Sequence, residues 1–329
     1  MNNANMKKDQ IFVIGVNGSG TTMLAESLGR HPELYMFPQE TRVLPYLVKR
    51  YPNTALRDFA MRRTLANVIG QTRSFWRCNG NRPLVLSDEM IESIDDFEGV
   101  VDAMYGYFAQ LQGKQRWGDK SPMYLQHIEV LANVFPHARF IHIYRDGRDS
   151  AQSFHRRWKQ SPIRTIFRWK KAIELGRKQG KQLGDTRYFE LSYENLTSDP
   201  EYWMRRVCDF AGLAFCPEVL TSSMQYMDKE SRQIAQGKMV KNSNRWRTYF
   251  THAQIVELEQ ISGKMLADLG YSVELQGDRN ISVMQQNWLK WQDWLNFSIH
   301  HVMTYGVKGA IPFYFRVRDA LMQSKANRY

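Results

Sequence analysis

Phe12-Val13-Ile14-Gly15-Val16-Asn17-Gly18-Ser19-Gly20-Thr21-Thr22-Met23-Leu24 runs a short apolar, β-branched segment straight into a glycine-rich turn and then into a helix-compatible stretch. In such a turn backbone N–H groups converge on an anion, the positive end of the next helix dipole adds to the field, and small residues let a phosphate come close. The order of strand, turn and helix therefore predicts a phosphate cradle in an α/β protein. A Walker loop, G-x-x-x-x-G-K-[ST], would carry lysine where this chain has Thr21. Without the side chain that reaches the β and γ phosphates of ATP, the loop is expected to hold a phosphate but not a nucleoside triphosphate.

The same layout returns at Arg139-Phe140-Ile141-His142-Ile143-Tyr144-Arg145-Asp146-Gly147-Arg148, an apolar strand followed by a charged turn and a helix start. A guanidinium at a strand end can supply fork-shaped donors to phosphate oxygens, and a hydroxyl on the next helix can supply another. Strands are expected at Ile11 to Val16, Leu84 to Ser87, Ala138 to Tyr144 and Tyr188 to Ser192, with helices between them and the first helix ending near Arg30. That alternation predicts a P-loop-like parallel sheet flanked by helices. Ligands of such sheets sit outside the carboxyl ends of the strands, where both phosphate motifs fall.

Ser19-Gly20-Thr21-Thr22 after its G-x-x-x opening resembles the 5′-phosphosulfate loop of sulfotransferases that use 3′-phosphoadenosine-5′-phosphosulfate (PAPS), and the spacing of Arg145 and Ser153 matches the pair that holds the donor's 3′-phosphate in that family. Gly118-Asp119-Lys120-Ser121-Pro122 is similar to the stretch that sets a lysine beside the transferred sulfonyl group. Phe37-Pro38-Gln39-Glu40-Thr41-Arg42-Val43-Leu44-Pro45 resembles the Glu-Thr-Arg segment of tyrosylprotein sulfotransferases, in which the glutamate is the general base and the arginine lies nearby. Leu191 to Leu196 with Asp199-Pro200 fits a strand-then-helix unit of the family, which brings Tyr193 to the donor site, and Asn244-Arg245-Trp246-Arg247 resembles its donor-covering segment. Together these matches run, in the family's order, from about residue 10 to about residue 270.

The resemblance implies the sulfotransferase fold and a PAPS-dependent enzyme (EC 2.8.2.-). The reaction would move a sulfuryl group onto an acceptor hydroxyl, tyrosyl or phenolic, glycan or lipid, with no metal. On this reading Asn17, Gly18, Ser19, Gly20, Thr21 and Thr22 hold the 5′-phosphosulfate, and Arg145 and Ser153 hold the 3′-phosphate. Lys120 meets the developing charge and Glu40 takes the hydroxyl proton, with Arg42 beside it. His31 is the alternative base; His127, His137 and His142 read as packed or surface histidines. One position departs from the pattern. Many relatives carry Lys or Arg before Ser-Gly-Thr-Thr, whereas this chain has Gly18, preceded by Asn17. The missing charge is then expected from Lys120, with Arg42 second. A P-loop phosphotransferase would need a substitute for the Walker lysine and a magnesium-binding aspartate, and neither is placed. A non-catalytic nucleotide-binding relative would account for Gly18.

With 329 residues, 43% of them hydrophobic, the chain is long enough for one large α/β core. The expected division is a polar, disordered 1–10, a catalytic domain over 11–278 and a helical extension over 279–329. The formal net charge of +12 suits anionic partners, namely the donor, an acidic acceptor or a lipid surface. Nucleic acid is not expected, because the basic residues are scattered and no binding motif for it is recognisable. Three cysteines, Cys78, Cys208 and Cys216, form neither a disulfide framework nor a zinc pattern. No signal peptide or long apolar run is present, so a reducing cytoplasm is the expected compartment. In the extension, Trp288, Trp291, Leu295, Ile299 and Val302 share one helical stripe widened by Trp294 and Phe297. Phe313, Tyr314 and Phe315 follow Pro312 among Arg316, Arg318 and Lys325. Two readings stand for it: packing on the catalytic domain or on a second subunit of a homo-oligomer, or an interfacial helix at a membrane surface.

Overall fold

The computed structural model describes residues 9–51, 56–221, 243–300 and 302–303. Residues 1–8 of the expected disordered N-terminus, and Pro312 to Phe315, Arg316, Arg318 and Lys325 of the extension, lie outside the described residues. The chain divides into two compact units, one formed by the residues up to Arg145 with Lys171–Ser243, the other by Asp146–Lys170 with the residues from Asn244 onward.

The first unit carries a five-stranded sheet made of β1 (Ile11–Ile14), β2 (Leu34–Met36), β3 (Arg116–Lys120), β4 (Arg139–Tyr144) and β5 (Tyr188–Ser192). The strand order is β2-β3-β1-β4-β5 and every pair is parallel. β1 is buried throughout, as a central strand covered on both faces requires. On one face Ile11 and Val13 pack with Leu24 and Leu28 of α1 (Thr21–Leu28), with Ile141 and Ile143, and with Met204 and Val207 of the helix Pro200–Ala211. On the other face Phe12 meets the rings of Trp117, Tyr124, Phe135 and Phe140 at centroid distances of 5.9, 6.0, 5.5 and 5.3 Å. Gly15 lets the exit of β1 pass β4 closely: a Cβ there would lie 2.3 Å from the Ile143 carbonyl oxygen.

β1, β4 and β5 fall where the apolar runs predicted them, within two residues at their ends. β2 and β3 do not announce themselves, because β3 reads Arg-Trp-Gly-Asp-Lys and yet is buried at every position. Its polar groups are satisfied by residues far away in sequence. Arg116 Nη2 donates to the Asp9 carbonyl at 3.0 Å and Nη1 to the Gly212 carbonyl at 3.3 Å, and Trp117 Nε1 donates to Asp102 at 2.8 Å. Leu84 to Ser87, expected as a strand, forms none. Leu84 and Leu86 are buried and Val85 is exposed, and the run ends at Ser87, whose hydroxyl caps the helix Asp88–Glu92. Gln10, grouped with the disordered N-terminus for its polarity, is buried; its amide donates to Glu98 at 3.1 Å and to Asp102 at 2.8 Å.

Between β4 and β5, His142 Nδ1 lies 2.7 Å from the Tyr188 hydroxyl, which donates to Glu190 at 2.7 Å, and Arg177 Nε donates to both Glu190 oxygens at 3.1 Å. Burial pushes the Glu190 carboxyl up, but His142, Tyr188 and Arg177 outweigh it and pull it down to about 2. A carboxylate depressed in this way contributes stability that is complete above its unfolded value and is lost as pH falls through its folded one. Glu190→Gln should therefore destabilise the protein at pH 7 by roughly 2–3 kcal/mol. The gap from wild type should close as pH falls from about 4.5 toward 2. Urea unfolding at pH 7 and at low pH measures both; a gap that did not change with pH would exclude the Glu190 charge as its source.

In the second unit the helix Gly147–Trp158 is capped by Asp146, which accepts the Arg148 N–H at 2.8 Å. The Arg148 guanidinium donates to Asp146 at 2.8 Å and to Glu259 of the helix His252–Asp268 at 2.6 Å, and lies 3.8 Å above the Trp246 ring. A buried ion pair holds only when its remaining groups are also satisfied. They are here, since Glu259 also accepts the N–H groups of Glu274 and Leu275 at 2.8 and 2.9 Å.

Candidate active site

A parallel sheet sends all its carboxyl ends to one edge, and in the first unit each end delivers a residue singled out by sequence. β1 leads into the glycine loop, β2 into Glu40 to Arg42, β3 ends on Lys120, β4 is followed by Arg145 and β5 by Tyr193.

The loop is shaped for an anion. Gly18 and Gly20 hold φ of 87° and 96°, left-handed values that side chains other than glycine's seldom adopt. Gly20 is the N-cap of α1, contributes no side chain to it, and no acidic residue stands in the first turn. The leading N–H groups of α1 thus have no side-chain cap, and the dipole end is uncompensated. A Cβ on Gly20 would lie 2.7 Å from the Tyr193 ring. The Ser19 hydroxyl is buried and has no hydrogen-bond partner among the described residues, while Asn17 and Gly18 are exposed and Thr21 and Thr22 open the helix. Arg145 is buried beside this loop. Its Nη1 donates to the Gly18 carbonyl at 3.3 Å and its guanidinium lies 4.7 Å over the Tyr193 ring. The cation that reaches position 18 is therefore Arg145, ahead of Lys120 and Arg42.

Lys120 and Arg42 instead converge on Glu40. Lys120 Nζ donates to Glu40 Oε1 at 2.9 Å and Arg42 Nε donates to Oε2 at 2.8 Å. Burial pushes the Glu40 carboxyl up, but the hydrogen bond and charge of Lys120, and then those of Arg42, outweigh it and hold the group below the usual carboxylate range. Arg42 takes a φ of 58°, an uncommon conformation for a long side chain, and its N–H donates to the Ser121 hydroxyl at 3.3 Å. These residues and Thr22 line one cavity of about 720 Å³, whose walls also carry Arg30, Arg73 and Arg77.

Thr41 is buried and does not line the cavity with its two neighbours. Its hydroxyl donates to the Asp119 carboxylate and lies 2.8 Å from the Tyr124 hydroxyl, and the Tyr105 hydroxyl donates to Asp119 at 3.0 Å. Asp119 is fully buried, and that burial drives its carboxyl up to about 6 against the lowering effect of Thr41, Tyr105 and Tyr124. Glu40 and Lys120 thus flank a buried clasp of Thr41 and Asp119, which ties the segment after β2 to the end of β3. Sequence reading missed Thr41, Asp119, Tyr105 and Tyr124. The signal available was position alone: Thr41 and Asp119 each adjoin a residue already singled out.

Ser153, Arg245 and Trp246 belong to the second unit. Ser153 is half-buried on the helix Gly147–Trp158, Arg245 is exposed and Trp246 is buried under Arg148. Asp149 accepts the N–H groups of Asn244 and Trp246 at 2.8 and 3.2 Å, which fastens that segment to the helix start. His31 is engaged at both ring nitrogens. Nδ1 accepts the Glu33 N–H at 3.1 Å, so Nε2 donates to the Ala214 carbonyl at 2.7 Å and no lone pair is left for base work.

Comparison with known proteins places these features in a lineage. The profile of the sulfotransferase family matches residues 10–217. The chain is 25% identical over 290 residues to the protein-tyrosine sulfotransferase of Drosophila melanogaster, covering 81% of this chain and 52% of that protein. It is 25% identical over 284 residues to protein-tyrosine sulfotransferase 2 of Gallus gallus, covering 79% and 69%. It thus spans about half the length of the Drosophila relative. Among solved structures, the sulfotransferase domain from the curacin biosynthetic pathway superposes with a TM-score of 0.55 at 19% identity, covering 82% of this chain and 99% of that one. The sulfotransferase domain from the Synechococcus PCC 7002 olefin synthase superposes with a TM-score of 0.54 at 22% identity, covering 82% and 96%. These two likenesses establish the fold.

Proposed function

Because this chain belongs to the sulfotransferase family, we propose that it transfers a sulfuryl group from PAPS to the hydroxyl of an acceptor. The observation that carries the reading is the single cavity in which the loop residue Thr22 stands with Glu40, Arg42 and Lys120. The residues fit such a donor: an uncapped helix start and a left-handed glycine make room for the 5′-phosphosulfate, and the buried Ser19 hydroxyl offers a further polar contact. Arg145 serves the 3′-phosphate, and the family resemblance adds Tyr193, Ser153, Arg245 and Trp246 to the donor site.

The donor supplies an activated sulfuryl group, whose bond to the bridging oxygen breaks as the bond to the acceptor oxygen forms, with 3′-phosphoadenosine-5′-phosphate as leaving group. Lys120 stabilises the negative charge that develops, and Glu40 accepts the proton that the acceptor hydroxyl loses. In the free protein Glu40 is held ionised and weakly basic by Lys120 and Arg42. Engaging Lys120 on the donor's oxygens loosens that hold and raises the basicity of Glu40 when it is needed. Arg30, Arg73 and Arg77 favour an acceptor that bears negative charge near its hydroxyl, whether tyrosyl or phenolic, glycan or lipid.

Calorimetry tests the donor assignment directly. 3′-Phosphoadenosine-5′-phosphate should bind at least about tenfold more tightly than AMP or ATP, because of the three only it offers a 3′-phosphate to Arg145. Equal affinities would reject the assignment. Labelled PAPS offered with tyrosyl peptides, glycans, glycolipids and small phenols then identifies the acceptor.

A further inference from the structure

Residues 283–300, continued by 302–303, form a helix in the second unit that docks by the side opposite to its apolar stripe. The docked side is marked by Asp293, buried, which accepts the Ser161 N–H and a hydrogen bond from Arg164 Nη1 at 2.7 Å. At 100° per residue, Trp288, Trp291, Leu295, Ile299 and Val302 all fall within about 60° of the line opposite Asp293. Leu295 is half-buried, and the other four are turned outward. Trp288 is 60% exposed, Trp291 51%, Ile299 48% and Val302 39%, and the rings of Trp288 and Trp291 lie 5.3 Å apart. A surface helix ordinarily buries its apolar face and exposes its charges. This one buries a carboxylate and exposes indoles.

We propose that this stripe lies in the headgroup region of an anionic lipid surface. Indole rings are amphipathic and favour the boundary between water and hydrocarbon. The charge balance agrees: within 281–329 the sequence holds Lys290, Lys308, Arg316, Arg318, Lys325 and Arg328 against Asp293 and Asp319, in a chain of formal net charge +12. Basic residues near an interfacial helix are drawn to anionic headgroups. The chain's net charge of +12 also opposes a second copy as the occupant, since two such chains repel each other on approach. No helix among the described residues is long and apolar enough to cross a membrane, so the contact is one of lying on the surface. The inference is independent of the sulfuryl-transfer reading.

The test is flotation of the full chain with vesicles of phosphatidylcholine alone and of phosphatidylcholine with phosphatidylglycerol at three to one, read together with tryptophan emission. The chain should float with the anionic vesicles and blue-shift on binding, float poorly with the neutral ones, and be released by high salt. Replacing Trp288, Trp291 and Ile299 together by serine should weaken flotation at least about tenfold while nucleotide affinity and circular dichroism stay unchanged. Absence of flotation with anionic vesicles overturns the proposal. So does a wild-type dimer in sedimentation that the triple substitution dissociates, which would make a second copy the occupant. A blue emission in the absence of lipid that turns red on removal of 304–329 would assign the stripe to that segment and likewise overturn it.

Discussion

Glu40→Gln should lower turnover about a hundredfold or more while leaving nucleotide affinity within a few-fold of wild type. Glutamine keeps the shape, but its single amide oxygen can accept from only one of Lys120 and Arg42, which donate to different Glu40 oxygens, and it cannot take the proton of the acceptor hydroxyl. Lys120→Ala should cost a similar factor, typical of removing a preorganised charge from a reacting centre. The two variants differ in their pH profiles. Glu40 must be ionised to act and Lys120 helps to hold its carboxyl down. Lys120→Ala should therefore move the acid limb of kcat/KM to higher pH, and Glu40→Gln should abolish that limb. Steady-state rates across pH with a fixed acceptor decide the matter. Near-normal turnover by Glu40→Gln would remove Glu40 as the base.

Arg145→Ala should weaken binding of 3′-phosphoadenosine-5′-phosphate by roughly 30- to 100-fold, since a lost charge-assisted partner of a bound phosphate costs ~2–3 kcal/mol. AMP should lose far less, so the preference for the 3′-phosphorylated nucleotide disappears. Arg145→Lys keeps a positive charge but not the planar fork that bridges the Gly18 carbonyl and stacks on Tyr193, and should fall between the two. Calorimetry on the three proteins with both nucleotides gives the comparison. An Arg145→Ala protein that retains the wild-type preference would show that the 3′-phosphate is held elsewhere.

How much of this was legible in the sequence follows from where each group finds its partners. β1, β4 and β5 are apolar and their exits carry Gly, Arg and Tyr at readable offsets, so the phosphate side of the sheet edge could be drawn from local pattern. β3 could not. Its Arg116 and Asp119 are buried against Asp9, Thr41 and Tyr105, which stand 107, 78 and 14 residues away, and no local periodicity reports partners at such separations. Leu84 to Ser87 fails in the opposite sense. Its composition suits a strand, but a strand also needs a neighbour to complete its ladder, and propensity yields to tertiary context. Glu40, Arg42 and Lys120 were found by resemblance. That they share one carboxylate, and that Arg145 and neither of the other two cations reaches Gly18, are facts of geometry.

Gly15 separates two kinds of constraint that a sequence motif merges. Its lack of a side chain serves the close passage of β1 beside the Ile143 carbonyl, so any descendant that keeps this sheet must keep the glycine, whether or not it still performs chemistry. Lys120 and Glu40 carry no such obligation to the sheet. In a lineage released from selection for activity they should drift first, leaving the opening of the loop intact in a protein that no longer turns over. If Glu40 and Lys120 act as proposed, the glycine at the head of the loop marks the sheet, and the ion pair marks the chemistry.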